Sequence, residues 1–107
     1  MIRALMSYKI QAELPKDKIT LFCKQHHIRK LSLFGSILRD DFGSDSDVDV
    51  LVEFEFGHVP SFFHLFDMED ELSAIFGGRK VDIRTPEDLS RYFRQQVMAI
   101  AAVQYAA

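Results

Sequence analysis

The stretch GSILRDDFGSDSDVDVLV, from Gly35 to Val52, decides the fold because it joins the end of one strand to the start of the next. VDVLVEFEF, Val48 to Phe56, alternates apolar side chains onto one face and predicts the longest strand. KLSLFG, Lys30 to Gly35, predicts a shorter strand that stops at the glycine. The acidic segment therefore connects two predicted strands.

Five aspartates lie within this connection and the strand after it: Asp40, Asp41, Asp45, Asp47 and Asp49. Crowded carboxylates resist joint ionisation, and a bound divalent cation with a preference for oxygen ligands relieves that repulsion. Asp47 and Asp49 are two residues apart, so they share one face of the strand with Cβ atoms about 6–7 Å apart. This pair can hold one or two metal ions, an arrangement that suits in-line displacement at phosphorus.

The other aspartates have a simpler interpretation. Asp, Ser and Gly are turn-forming residues, and we favour that role for Asp40, Asp41 and Asp45. The same interpretation is weak for Asp49, because aspartate disfavours strand interiors and this one lies among valines.

An EF-hand calcium loop is the rival metal site. Asp45, Asp47 and Asp49 match its first, third and fifth ligand positions. However, Val50 stands where that loop needs glycine, and Phe56 stands where it needs a bidentate glutamate. The sequence therefore disfavours a calcium loop.

Gly35 and Ser36 close the first predicted strand and offer donors for an anion. Glycine lets backbone N–H groups approach phosphate oxygens closely, and the Ser36 hydroxyl adds another donor. Arg39 can reach the same phosphates with its planar guanidinium. A Gly-Ser pair alone is usually only a turn; its value here comes from its place ahead of Asp47.

Outward from this segment, helices and strands alternate. Pro15 opens a predicted helix that ends near His27, and Ser61 caps a second one that runs to about Phe76. KVDIR, Lys80 to Arg84, predicts a third strand. Thr85 opens a last helix, and apolar spacing from Leu89 to Ala101 predicts that it continues almost to the C-terminus.

Asp82 lies within the KVDIR strand, between two apolar neighbours that point toward the core. If this strand pairs beside the strand of Asp47 and Asp49, the three carboxylates share one face. Asp82 could then ligate a metal ion and accept a proton from an attacking hydroxyl. The alternative is an ordinary exposed aspartate on an edge strand.

Composition bounds the class of protein. The 107 residues, 12.4 kDa, predict a single domain over 1–107 with its core at about 15–105. The net charge of −3 argues against a strongly basic nucleic-acid binder, and no apolar run is long enough for a membrane span. The single cysteine, Cys23, predicts a reducing, cytoplasmic location, and the histidines with Cys23 lack the spacing of a zinc site.

The segment GSILRDDFGSDSDVDVLVEF resembles the DNA polymerase β-like nucleotidyltransferases, and the whole chain looks like the minimal nucleotidyltransferase (MNT-type) antitoxins that are paired with HEPN toxins. The resemblance covers about residues 15 to 105. It implies an α/β (α+β) nucleotidyltransferase fold, in which a small mixed sheet of three or four strands packs with about four helices.

The resemblance also implies a reaction. AMP from ATP, or another nucleoside monophosphate from its own triphosphate, would pass to a hydroxyl on the partner HEPN toxin, and two Mg²⁺ ions would be the cofactor. Asp47, Asp49 and Asp82 would be the catalytic metal ligands, and Gly35, Ser36 and Arg39 would bind the nucleotide. Asp40 departs from the small residue that commonly follows the arginine, which bears on nucleotide affinity. Oligomerisation, with itself or with the toxin, stays open, and the alternative function is a non-catalytic antitoxin that neutralises its partner by binding alone.

Overall fold

The computed structural model describes residues 14–35 and 47–107. Their elements, in chain order, are α1 (Lys16–Gln25), β1 (Ile28–Phe34), β2 (Val48–Phe54), α2 (Phe62–Ile75), β3 (Val81–Arg84), a 3₁₀ turn (Pro86–Asp88), α3 (Arg91–Ile100) and β4 (Ala102–Ala106). The predicted order of elements is confirmed as far as the 3₁₀ turn.

One four-stranded sheet runs through these residues, in the order β3-β2-β1-β4. β1 pairs antiparallel with both β2 and β4, whereas β2 and β3 pair parallel. Parallel neighbours need a crossover connection, and α2 supplies it between β2 and β3. The mixed sheet with helices confirms the expected α+β fold, with three α-helices and one 3₁₀ turn in the described residues.

The core lies between the sheet and helices α1 and α2. Val48, Val50 and Val52 are fully buried, as their alternation along β2 predicts. The helices contribute buried side chains to the same cluster: Ile19, Phe22, Met68 and Leu72. Complete burial of such a side chain stabilises a fold by about 1.5–3 kcal/mol. This packing sends the odd-numbered residues at the start of β2 to the opposite face.

Helix α2 begins where the sequence predicts. The Ser61 hydroxyl oxygen accepts a hydrogen bond from the His64 backbone N–H at 3.2 Å, which satisfies one of the helix's otherwise unpaired donors. Met68 and Leu72 are buried, while Leu65 and Ile75 pack partly buried against the core. The predicted apolar stripe is therefore confirmed.

The predicted C-terminal helix is wrong at its start, and a strand that the sequence did not predict follows it. The Pro86–Asp88 turn stops before Ser90, whose hydroxyl caps α3 by accepting from the Phe93 N–H at 3.3 Å. After Ile100 the chain forms β4, in which Tyr105 pairs with Leu31. Pairing with β4 satisfies backbone groups that would otherwise be unpaired at the outer side of β1, a tertiary gain that no local spacing indicates.

Cys23 is fully buried in α1, and this burial raises the pKa of its thiol to about 12. A neutral, buried thiol is neither a nucleophile nor a metal ligand, so Cys23 is a core residue, as the sequence indicates. Among the helices of the described ranges, none combines the length and apolar character that crossing a membrane requires.

Candidate active site

Asp49 and Asp82 lie side by side on neighbouring strands. In the parallel pairing of β2 with β3, these two residues are direct register partners. Neighbouring strands lie about 4.8 Å apart, and register partners project from the same face of a sheet. Both residues are partly buried, while their neighbours Val50 and Ile83 are buried in the core. β2 and β3 are therefore neighbours, and Asp49 and Asp82 share one face of the sheet, as the three-carboxylate site requires.

Asp47 is exposed and immediately precedes β2. The adjacent Val48 N–H donates to the carbonyl of Lys80 at 2.8 Å, which holds the start of β2 against the start of β3. Asp47 therefore lies at the same end of the sheet as the Asp49–Asp82 pair.

Gly35 follows β1 directly and faces Asp49. Its φ of +74° is in the left-handed region that favours glycine. A Cβ at this position would overlap Asp49 Oδ2 and would lie 3.1 Å from Asp49 Cγ. The Asp49 carboxylate thus occupies the space that a side chain at position 35 would need, a role for Gly35 that the sequence pattern does not indicate.

Arg84 pairs with one of the site carboxylates. Its Nη2 and Nε donate to Asp82 Oδ2 at 3.1 and 3.3 Å. Both side chains are partly exposed, at 50% for Arg84 and 36% for Asp82, so solvent screens the pair and it adds little to stability. Its consequence is local: the guanidinium orients the Asp82 carboxylate and offsets its charge. The i, i+2 spacing on one strand is the signal in the sequence that could have indicated this pair.

Glu69 fixes the strand that carries Asp82. Its carboxylate, on α2, accepts a hydrogen bond from the Ile83 backbone N–H at 2.8 Å. β3 is an edge strand, so no neighbouring strand can accept a hydrogen bond from a backbone N–H on its outer side. The sequence does not reveal this role of Glu69, because nothing in a helical pattern indicates which backbone donor of an edge strand a side chain will meet.

We expect Glu69→Ala to lower the free energy of unfolding by about 1–3 kcal/mol, because it leaves a partly buried backbone donor without its acceptor. Glu69→Gln is the matched control, since its amide oxygen can still accept that hydrogen bond. Urea unfolding of the two variants and the wild type measures the difference. Equal stability of the alanine and glutamine variants would contradict a role of Glu69 in holding β3.

Several residues singled out in the sequence fall between the two described ranges. Ser36 and Arg39, expected to bind phosphates, lie outside the described residues, as do Asp40, Asp41 and Asp45. The described part of the expected site is therefore Gly35, Asp47, Asp49 and Asp82.

The donor chemistry of this group fits a divalent cation. The three carboxylates supply the hard oxygen ligands that Mg²⁺ prefers, and they project from the ends of two paired strands. Gly35 has no side chain, which allows the Asp49 carboxylate to stand in this position. Such a group can bind a metal–phosphate complex.

The sequence matches a known family over most of its length. The family described as "Polymerase beta, Nucleotidyltransferase" matches residues 17–105. This match includes the Gly-Ser segment, Asp47 and Asp49, and the strand of Asp82.

Two archaeal relatives illustrate the similarity. Protein adenylyltransferase MntA from Thermococcus cleftensis is 40% identical over 52 residues, 49% of this chain and 50% of that protein. MJ0435 from Methanocaldococcus jannaschii is 30% identical over 83 residues, 78% of this chain and 86% of that protein. The chain thus spans about half the length of the first relative and most of the second.

A solved structure supports the same assignment at the level of the fold. The crystal structure of a toxin–antitoxin with AMP-PNP superimposes with a TM-score of 0.71 over 88% of this chain and 75% of that chain, at 19% identity. At that identity the likeness shows the fold. The family match over residues 17–105 covers most of the chain and therefore identifies the family. The chain belongs to the polymerase beta nucleotidyltransferase family.

Proposed function

We propose that this protein is a metal-dependent nucleotidyltransferase that transfers AMP from ATP to a hydroxyl group on a partner protein. The observation that carries the proposal is the register pairing of Asp49 with Asp82, with Gly35 directly against the Asp49 carboxylate. Family membership supports the class of reaction, and a relative named protein adenylyltransferase supports AMP and a protein acceptor. The catalytic unit in this proposal is a single domain.

Each site residue has a distinct role in this proposal. Asp47, Asp49 and Asp82 would hold two Mg²⁺ ions where β2 and β3 begin. When bound, Mg²⁺ would offset the negative charge that develops on the triphosphate. Gly35, with Ser36 and Arg39 from beyond the described residues, would bind the triphosphate. Arg84 holds the Asp82 carboxylate in place before substrate arrives.

The chemistry is one displacement at phosphorus. The acceptor hydroxyl oxygen forms a bond to the α-phosphorus of ATP, and the bond from that phosphorus to the α–β bridging oxygen breaks. Pyrophosphate leaves with the bonding electron pair. The hydroxyl proton passes to the Asp82 carboxylate, which acts as general base. The products are an AMP ester of the partner and pyrophosphate.

We also propose that the protein acts as an antitoxin and that its acceptor is a HEPN-type toxin in the cytoplasm. Solved structures of an MntA–HepT toxin–antitoxin share its fold, with a TM-score of 0.62 for one of them, and this supports a toxin partner. A chain with one cysteine cannot rely on an intrachain disulfide, and this supports a reducing compartment.

A sub-stoichiometric transfer assay tests the proposal. The protein, at about one hundredth of the concentration of the neighbouring gene's product, is incubated with ATP labelled at the α-phosphate and Mg²⁺. We expect label and the mass of one AMP residue on most partner molecules, because a catalyst turns over. Chelation of the metal with EDTA should abolish labelling, and so should the paired change Asp47→Ala and Asp49→Ala.

The same assay can overturn the proposal. A partner that is neutralised only by an equal amount of this protein, without any gain of mass, would establish an antitoxin that acts by binding alone. The paired alanine variant provides the second comparison. Removing like charges relieves repulsion, so its thermal stability without metal should equal or exceed that of the wild type. A marked loss of stability would instead assign these aspartates to the fold.

A further inference from the structure

The chain has four histidines, and all of them line one cavity of about 350 Å³: His26, His27, His58 and His64. Their spacing in the sequence gives no reason to group them, but the fold brings the α1–β1 turn beside the loop between β2 and α2. Glu55 follows β2 directly at this end. It is six positions beyond Asp49, so the two lie about 20 Å apart along the strand direction. The histidine cluster is therefore separate from the acidic site, the name used below for Asp47, Asp49 and Asp82.

His27, Glu55 and His58 offer a compact set of ligand atoms. One imidazole nitrogen from each histidine and one carboxylate oxygen all lie within 4.8 Å of one another. The two imidazole rings stack with centroids 3.9 Å apart and planes 9° apart. Two imidazoles and a carboxylate are a ligand set that Zn²⁺ uses in proteins, with water in the fourth position.

Backbone hydrogen bonds hold these three residues together. The Glu55 N–H donates to the His27 carbonyl at 2.8 Å, and the His58 N–H donates to the Glu55 carbonyl at 3.0 Å. The second bond closes a tight turn in which Gly57 has a φ of +86°. His27 itself has a φ of +57°, an uncommon conformation for a residue with a side chain. The ligand-bearing positions are thus connected to one another before any ion binds.

The nearby polar groups are engaged elsewhere. Both ring nitrogens of His26 have partners, His64 Nε2 at 3.1 Å and Glu71 Oε2 at 2.5 Å. Glu53, two residues before Glu55, accepts from Arg29 at 2.6 Å. These contacts separate a His26–His64–Glu71 network from the group formed by His27, Glu55 and His58.

We infer that His27, Glu55 and His58 form a binding site for a divalent transition-metal ion of the Zn²⁺ type. Imidazole lone pairs lie in the ring plane, so one of the two stacked rings must rotate for both to point at one ion. Both histidines are exposed, and such a rotation displaces no core side chain. The bound ion would clip the α1–β1 turn to the loop that leads into α2.

Zinc titration of the intact protein tests this inference. Zn²⁺ is added in competition with a chromogenic chelator, with Mg²⁺ in large excess to occupy the acidic site. We expect one Zn²⁺ per chain, and we expect His58→Ala and Glu55→Gln each to weaken binding by at least about 10–100-fold, since loss even of indirect ligand partners has that effect. His64→Ala is the matched control: it changes a histidine of the same cavity but leaves the three ligands.

Thermal unfolding supplies an independent readout. Zn²⁺ should raise the Tm of the wild type and of His64→Ala, because a ligand of the folded state stabilises it, and should raise the Tm of Glu55→Gln by clearly less at the same Zn²⁺ concentration. Tm values without metal show whether each variant is folded. If His58→Ala does not fold, the nearly isosteric variant Glu55→Gln alone tests the site.

Absence of Zn²⁺ binding by the wild type, or equal losses of Zn²⁺ affinity in His64→Ala and Glu55→Gln, would overturn the inference. Loss of Zn²⁺ binding in the pair Asp49→Asn and Asp82→Asn would overturn it as well, by assigning the ion to the acidic site.

Discussion

Asp82→Asn should lower the rate of AMP transfer to the partner protein by about 10²–10⁴-fold, the usual effect of losing a general base. Asparagine has nearly the shape of aspartate, but it is a poorer metal ligand and cannot accept the proton of the hydroxyl. Asp82 is the register partner of Asp49, so this change removes one of two adjacent carboxylates without altering the strand pairing. Much of the nucleotide affinity and the complex with the partner should persist.

The measurement is the rate of partner labelling, with the variant at a small fraction of the partner's concentration. Asp70→Asn is the matched control, since it makes the same chemical change at an exposed position of α2. Full neutralisation of the partner by Asp82→Asn at such a low ratio of variant to partner would contradict the role assigned to Asp82. A comparable loss of rate in the Asp70 variant would show that the effect is not specific to the site.

Gly35→Ala should lower the transfer rate by about 10²-fold or more, because it forces the Asp49 carboxylate out of its position. The added Cβ would overlap Asp49 Oδ2, and displacement of a reacting group by about 1 Å is enough for losses of this size. The φ of +74° adds backbone strain of about 1–2 kcal/mol for any residue with a side chain. Gly35→Val should have a larger effect, and it should weaken binding of ATP more than that of adenosine.

Gly77→Ala separates the two causes. Gly77 has a φ of +77°, close to that of Gly35, but no atom lies within 4 Å of the position where its Cβ would stand. Both variants therefore carry similar backbone strain, and only the Gly35 variant meets a carboxylate. We expect similar losses of thermal stability and a loss of transfer only at Gly35. Equal transfer rates in the two variants, or equal weakening of ATP and adenosine in Gly35→Val, would mean that Gly35 serves only the turn.

Local sequence patterns determined most of the elements and the identity of the acidic residues. Alternating valines predict β2, the Ser61 cap and the apolar stripe predict α2, and Gly35 and Ser61 lie at the expected ends. These signals are local because burial on one face and hydrogen bonds within one turn involve residues close in the chain. The resemblance carried by the segment from Gly35 to Val52 added the family, and the match over residues 17–105 confirms it.

Only the tertiary structure decided which residues meet. The register of β2 with β3 brings Asp49 beside Asp82, and the end of β1 brings Gly35 against Asp49. Tertiary pairing also adds β4 after the last helix, since the free side of β1 needs hydrogen-bond partners. It likewise gathered the histidines around one cavity. Contacts of this kind join residues far apart in the chain, and their geometry depends on strand order and register, which no local pattern contains.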